Sequence, residues 1–193
     1  MSKSIFKHLL NQYFEGKDNN IPAVIESIFS EQAVVTFDID TDVIEFPAKI
    51  VGAKTIAEEM FASFHDDFEK VRSYYVIEPD AASGLLLEQN PIRGIKWLVL
   101  MREQSSKLIR VGSGYYNWSF GQGEKTWKID ALHVHIHAMK VFEEPHKAWL
   151  DEAQNHFSES WLNYDQAIDY LSQVKDLDGI CDYLSLYQEG QVA

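Results

Sequence analysis

Apolar residues crowd into two long runs, KLIRVGSGYYNWSF from Lys107 and TWKIDALHVHIHAM from Thr126, separated by GQGEK. Runs rich in aromatic and β-branched residues, joined by a short glycine-containing break, predict a long antiparallel hairpin. The phase changes inside the second run. Trp127 and Ile129 are apolar at odd positions, whereas Leu132, Val134 and Ile136 are apolar at even ones. One β-bulge near Asp130 and Ala131 puts both sets on one face and bends the strand. His133, His135 and His137 then share the opposite, outer face. Upstream, AVVTFDID, VIEFPAKIV, FEKVRSYYVIEP and IRGIKWLVLMRE read as extended chain. Pro47 limits the second of these to an edge or a break. Pro79 closes the third, before a turn over Asp80 to Gly84 and a short extended piece at Leu85 to Glu88.

Other segments carry helical spacing. Ile5, Phe6, Leu9, Leu10, Tyr13 and Phe14 form one apolar stripe, with Gly16 placed to stop the helix. Residues 21–29 predict a second, short helix with Pro22 in its first turn. Thr55-Ile-Ala-Glu58 has the form of a capping box. It opens a helix whose stripe is Ile56, Met60, Phe61 and Phe64, running to about His65. From Glu143 three further stripes follow: Trp149, Ala153, His156, Phe157 and Trp161; then Ala167, Ile168, Leu171 and Val174; then Ile180, Tyr183, Leu184 and Tyr187. They are too apolar to stand free in water, so they pack on the domain or on a second copy of the chain. Helices beside an antiparallel sheet predict an α+β domain over residues 1–140, with a helical extension over residues 141–193.

With 193 residues and 46% apolar content the chain can bury a real core. A net charge of -13 argues against nucleic acid and against an anionic membrane surface. Cys181 is the single cysteine, so no intramolecular disulfide forms, which suits a reducing cytoplasm. Polar residues break every apolar run near the N-terminus, and no stretch approaches the roughly 20 apolar residues that span a bilayer. These features predict a soluble cytoplasmic protein.

Three phrases, FSEQAVVTF, FPAKIVGAKTIAEEMFASFHDDF and GSGYYNWSF…GEKTWKIDALHV, resemble the nuclear-transport-factor-2-like superfamily, in particular its SnoaL-like branch. The resemblance spans roughly residues 4 to 138. It implies a cystatin-like α+β cone, a curled sheet wrapped on helices with a pocket at the open end. Ketosteroid isomerases, polyketide cyclases, dehydratases, epoxide hydrolases and non-catalytic proteins share that fold, which does not choose among them.

The candidate residues follow. Tyr75, Trp97, Tyr116 and Trp118 are aromatic strand residues suited to an apolar pocket wall. Tyr116 and Trp118 share a face with Gly112 and Gly114, whose missing side chains leave room for a ligand or a crossing helix. His65, beside Asp66 and Asp67, stands where the resemblance implies the pocket mouth and a His–carboxylate pair. Asp38 is a second candidate base, provided burial raises its pKa. No metal is expected, with His133, His135 and His137 as the alternative, a pair of imidazoles two residues apart being able to chelate zinc. No cofactor is expected, because neither GSG at 112–114 nor GQG at 121–123 opens a helix. The expected function is a homodimeric pocket protein for a small apolar or aromatic molecule. Its expected chemistry is acid–base isomerisation, dehydration or cyclisation of a polyketide- or steroid-like compound. The rival is a non-catalytic module whose pocket is plugged by Trp149, Phe157 or Trp161 of the extension.

Overall fold

A computed structural model describes residues 5–59, 64–77 and 87–186. Met60 and Phe61, the predicted turn over Asp80 to Gly84, its neighbours Leu85 and Leu86, and Tyr187 lie outside them.

The predicted hairpin is the centre of a seven-stranded open sheet. Its strands, β5 (Ile109–Gln122) and β6 (Trp127–Phe142), pair antiparallel along almost their whole length. Outward on one side lie β1 (Phe29–Ile39), parallel to β6, and β2 (Lys49–Val51). On the other lie β4 (Ile92–Glu103), β3 (Phe68–Ile77) and a short parallel edge strand, β7 (Trp161–Asn163).

The bulge is where the phase change put it. Ser119 pairs with Ala131 and Phe120 with Ile129, so Asp130 is the extra residue. Ile129, Leu132, Val134 and Ile136 consequently share one face and one buried cluster with α1 (Ile5–Asp18), α2 (Pro22–Ile28) and α3 (Ala53–Ala57). A second extra residue, His137, lies between the pairs Gly114–Ile136 and Ser113–Ala138. Its signal is the step from the even Ile136 to the odd Met139, both of which face the helices.

Three local expectations are corrected. Gly16 does not stop α1. It is buried inside the helix, and a Cβ there would lie 2.7 Å from Ile25 Cδ1, so it lets α1 and α2 cross closely. Thr55 does not cap α3. The helix starts two residues earlier, after Gly52, whose φ of 96° suits glycine alone. VIEFPAKIV is not one extended piece: residues 40–48 are irregular and only Lys49–Val51 pair.

The extension covers the opposite face of the same sheet. After α4 (Phe64–Asp67) earlier in the chain, the numbering continues with α5 (Trp149–His156), α6 (Tyr164–Leu171) and α7 (Asp178–Ser185). They bury Leu150, Ala153, Phe157, Leu171, Leu177 and Ile180 against Tyr74, Leu98, Leu100, Ile109 and Val111. The stripe from Trp149 to Trp161 is not one helix. The helix ends at His156, and Trp161 opens β7, where its ring stacks on Tyr75 at 4.4 Å. Lys96 Nζ donates to the carbonyls of Tyr183 and Leu184 at the C-terminal end of α7, fixing that helix to β4. The described apolar residues of these stripes are thus largely buried against the same chain. Among the described residues no helix is long and apolar enough to cross a membrane.

Candidate functional site

Between the helices and the inner face of the sheet lies a cavity of about 70 Å³. Its walls are apolar: Phe37 from β1, Val99 and Met101 from β4, and Val134, Ile136 and Met139 from β6. Trp97 and Tyr116 also line it, stacked at 5.5 Å. Gly112 and Gly114 make this wall possible, though the space they leave is already taken. A Cβ on Gly114 would lie 2.9 Å from Trp97 Cζ2, and one on Gly112 would lie 2.6 Å from Met139 Cε. Tyr75 and Trp118 lie in the packed core beside the cavity, each fully buried, and do not line it.

Ile44, Phe46 and Phe64 separate this cavity from a wider outer groove of about 760 Å³. Ile44 and Phe46 belong to the irregular segment 40–48, and Phe46 stacks on Phe37 at 4.7 Å. Arg110 Nη1 donates to Val43 O at 2.7 Å and so ties the segment to β5. The groove carries Glu45, Glu58, Glu59, Asp67 and Glu103 against Arg110, which is itself paired to Glu103 at 2.9 Å. Such a mouth repels anions.

The polar end of the cavity is a cluster that the sequence reading missed. Lys17 and Ser73 line the cavity, and Asp18 joins them. Lys17 Nζ lies 2.5 Å from Asp18 Oδ1 and donates to Ser73 Oγ at 2.6 Å. Ser73 gives its N–H to Asp18 Oδ2 at 2.6 Å and its hydroxyl to Asp18 Oδ1 at 2.9 Å. The strand edge explains this. Tyr75, two residues on, gives its N–H to Ser160 O beside β7, but β7 stops short of Ser73, whose N–H needs another acceptor. The missed signal is Lys17 one helical turn after Tyr13, a lysine on the buried stripe of α1.

Tyr13 and Tyr116 hydrogen-bond through their hydroxyls, and Tyr75 donates to Leu10 O at 3.0 Å. Burial raises all three phenols above their ordinary pKa, so they stay neutral. Trp97 Nε1, on the cavity wall, is buried with no hydrogen-bond partner among the described residues.

The two expected bases are elsewhere. His65 Nε2 donates to Lys17 O at 2.7 Å, satisfying a last-turn carbonyl of α1. Among the described residues no carboxylate pairs with that nitrogen. Asp38 is 62% exposed on the outer face, 3.2 Å from His135 Nδ1. It lacks the burial that would make it a pocket base. On that outer face His135 and His137 lie beside Asp40, whereas His133 turns to Thr36 Oγ1 at 3.0 Å.

No known family model matches the chain, and no curated protein matches it. Solved structures do. LinA superposes with a TM-score of 0.57 at 13% identity, covering 74% of this chain and 90% of that one. The type 3 LinA hexachlorocyclohexane dehydrochlorinase of Novosphingobium barchaimii LL02 gives 0.53 at 12%, with 74% and 90% covered. A candidate aromatic ring hydroxylase from Novosphingobium aromaticivorans gives 0.51 at 16%, with 72% and 90% covered. The chain has the nuclear-transport-factor-2-like fold. These neighbours cover about three quarters of the chain. Identity this low speaks for the fold alone.

Proposed function

We propose that the inner cavity binds a small, neutral, largely apolar molecule that carries one hydrogen-bond acceptor. The observation that carries this reading is Trp97 Nε1, a buried donor on the cavity wall without a partner among the described residues. An unmade hydrogen bond at such a group costs about 1–3 kcal/mol, which an acceptor on a ligand recovers. The acidic mouth disfavours anionic ligands. At its present 70 Å³ the cavity is below the roughly 150 Å³ that admits benzene. Entry therefore requires Ile44, Phe46 and Phe64 to step outward into the groove beyond them.

The polar end suits polarisation of a carbonyl better than proton abstraction. Lys17 Nζ is a cationic donor at the cavity, while Asp18 is committed to Lys17 and Ser73. Names among the neighbours, dehydrochlorinase and hydroxylase, favour small-molecule processing over a purely structural role. Plugging by the extension has no support, because Trp149 and Phe157 pack on the other face and Trp161 stacks on Tyr75 outside the cavity wall.

The test is tryptophan fluorescence titration with a panel of small aromatic ketones, alcohols and carboxylates. Ketones should bind, and carboxylates should bind least. Trp97→Phe keeps the ring but removes the donor, and should weaken ketone binding about tenfold. Absence of binding across the panel, or equal binding by Trp97→Phe, contradicts the proposal.

A further inference from the structure

The outer face carries a group of side chains that the cavity does not use. Asp40 follows the end of β1, and His135 and His137 come from β6, with His137 as the bulge residue. One nitrogen from each histidine and one carboxylate oxygen all lie within 4.8 Å of one another. His135 Nε2 is 3.4 Å from Asp40 Oδ2, and His137 Nδ1 is 3.7 Å from the same oxygen. Ligand atoms about 2.0–2.2 Å from a tetrahedral zinc ion stand roughly 3.4 Å apart. The two spacings, 3.4 and 3.7 Å, are close to that figure.

The orientation of His135 is the second observation. Its other nitrogen, Nδ1, faces Asp38 Oδ2 at 3.2 Å. A carboxylate on the far nitrogen fixes the tautomer, placing the proton on Nδ1 and the lone pair of Nε2 toward Asp40 and His137. That is the carboxylate–histidine arrangement that backs metal ligands. Both rings are also clamped. His135 stacks on Tyr115 at 4.6 Å and His137 on Tyr183 at 4.0 Å. Two carboxylates flanking one imidazole leave Nε2 needing either a proton or a cation. Imidazole and carboxylate donors suit a borderline divalent ion.

We propose that Asp40, His135 and His137 hold one divalent cation of the zinc class on the outer face, with Asp38 orienting His135. His133, on the same strand, is outside the set because its ring is bonded to Thr36. Tyr183 comes from α7, so the site sits where the extension meets the sheet.

The experiment uses the full chain, free of any affinity tag and stripped with a chelator. Zinc chloride is titrated by calorimetry, and bound zinc is counted by mass spectrometry after dialysis. One zinc per chain is expected. His137→Ala should lose it, and Asp38→Asn should bind about 10–100-fold more weakly. His137 is 40% exposed against 12% for His135, so of the two histidines its replacement disturbs folding less, and circular dichroism checks that the variant is native. Cobalt chloride gives a readout independent of stability, because its visible absorption reports nitrogen and oxygen donors. No zinc on the native chain overturns the proposal. So does zinc retained by a natively folded His137→Ala.

Discussion

The two faces of the sheet are built from the same kinds of residue and put to different ends. The inner face meets α1–α3 and stops short of filling the space, leaving a hollow with Trp97 and Lys17 at its wall. The outer face is filled by the extension over β3–β5, where Phe157, Leu162, Leu171 and Ile180 are almost wholly buried. Toward β1 and β6 that face carries the histidines and aspartates. The contrast teaches that a buried apolar face becomes a site where its packing is left incomplete. Here the incompleteness coincides with an unpartnered donor on the inner side and with clustered metal-type donors on the outer side.

The largest expected effect tests whether the outer face is filled. Phe157→Ala should lower unfolding stability in urea by roughly 3–5 kcal/mol, because no space exists to absorb the loss. Val134→Ala, at the cavity wall, should cost no more than about 2 kcal/mol. Equal losses would erase the distinction between the faces.

Next comes the polar end of the hollow. Asp18→Asn leaves Lys17 without its countercharge and weakens the hold on Ser73, at a cost of roughly 2–4 kcal/mol in the same assay. A neutral result would mean that the cluster is solvated.

Alkaline pH sharpens the same point. Tyr13, Tyr75 and Tyr116 have pKa values raised by burial above the ordinary 10.0. Below that pH the phenols are neutral in both folded and unfolded chain, and their contribution is complete. Above it the unfolded chain loses protons that the folded chain keeps, so stability should fall as pH rises. The slope is about 1.4 kcal/mol per pH unit for each phenol. The tyrosinate absorbance contributed by these three phenols should therefore appear together with loss of circular dichroism, not before it.

The smallest effect concerns Glu103, whose pKa is lowered by hydrogen bonds from Ser106 and Arg110. Its contribution is present above the unfolded value of 4.5 and is lost as pH falls through the lowered folded value. Glu103→Gln should flatten the acid limb of the stability curve slightly.

Much of the fold was legible in the sequence because its signals are local. The bulge at Asp130 shows as a change of phase, and the helical character of the extension shows as stripes. Where side chains meet across the chain, legibility ended. Gly16 looked like a helix stop because its partner, Ile25, lies on another helix. Trp161 looked helical because its pairing partner is β3. Which face of each strand turns to the cavity is not encoded in alternation alone: of four aromatic strand residues of the same character, Trp97 and Tyr116 line the cavity, whereas Tyr75 and Trp118 lie in the packed core beside it. The cluster of Lys17, Asp18 and Ser73 depends on where β7 begins along β3, and the one local trace of it is Lys17 on the buried stripe of α1. His65 entered through the family resemblance and Asp38 as a carboxylate that burial could activate; the structure bonds His65 to Lys17 O and leaves Asp38 62% exposed.

The most direct test of the account is a crystal structure of the chain soaked with a small aromatic ketone. Density should lie in the hollow with the ketone oxygen at Trp97 Nε1, and with Ile44, Phe46 and Phe64 displaced toward the outer groove. A ketone bound only outside those three side chains, or an empty hollow at saturating ketone, would contradict it.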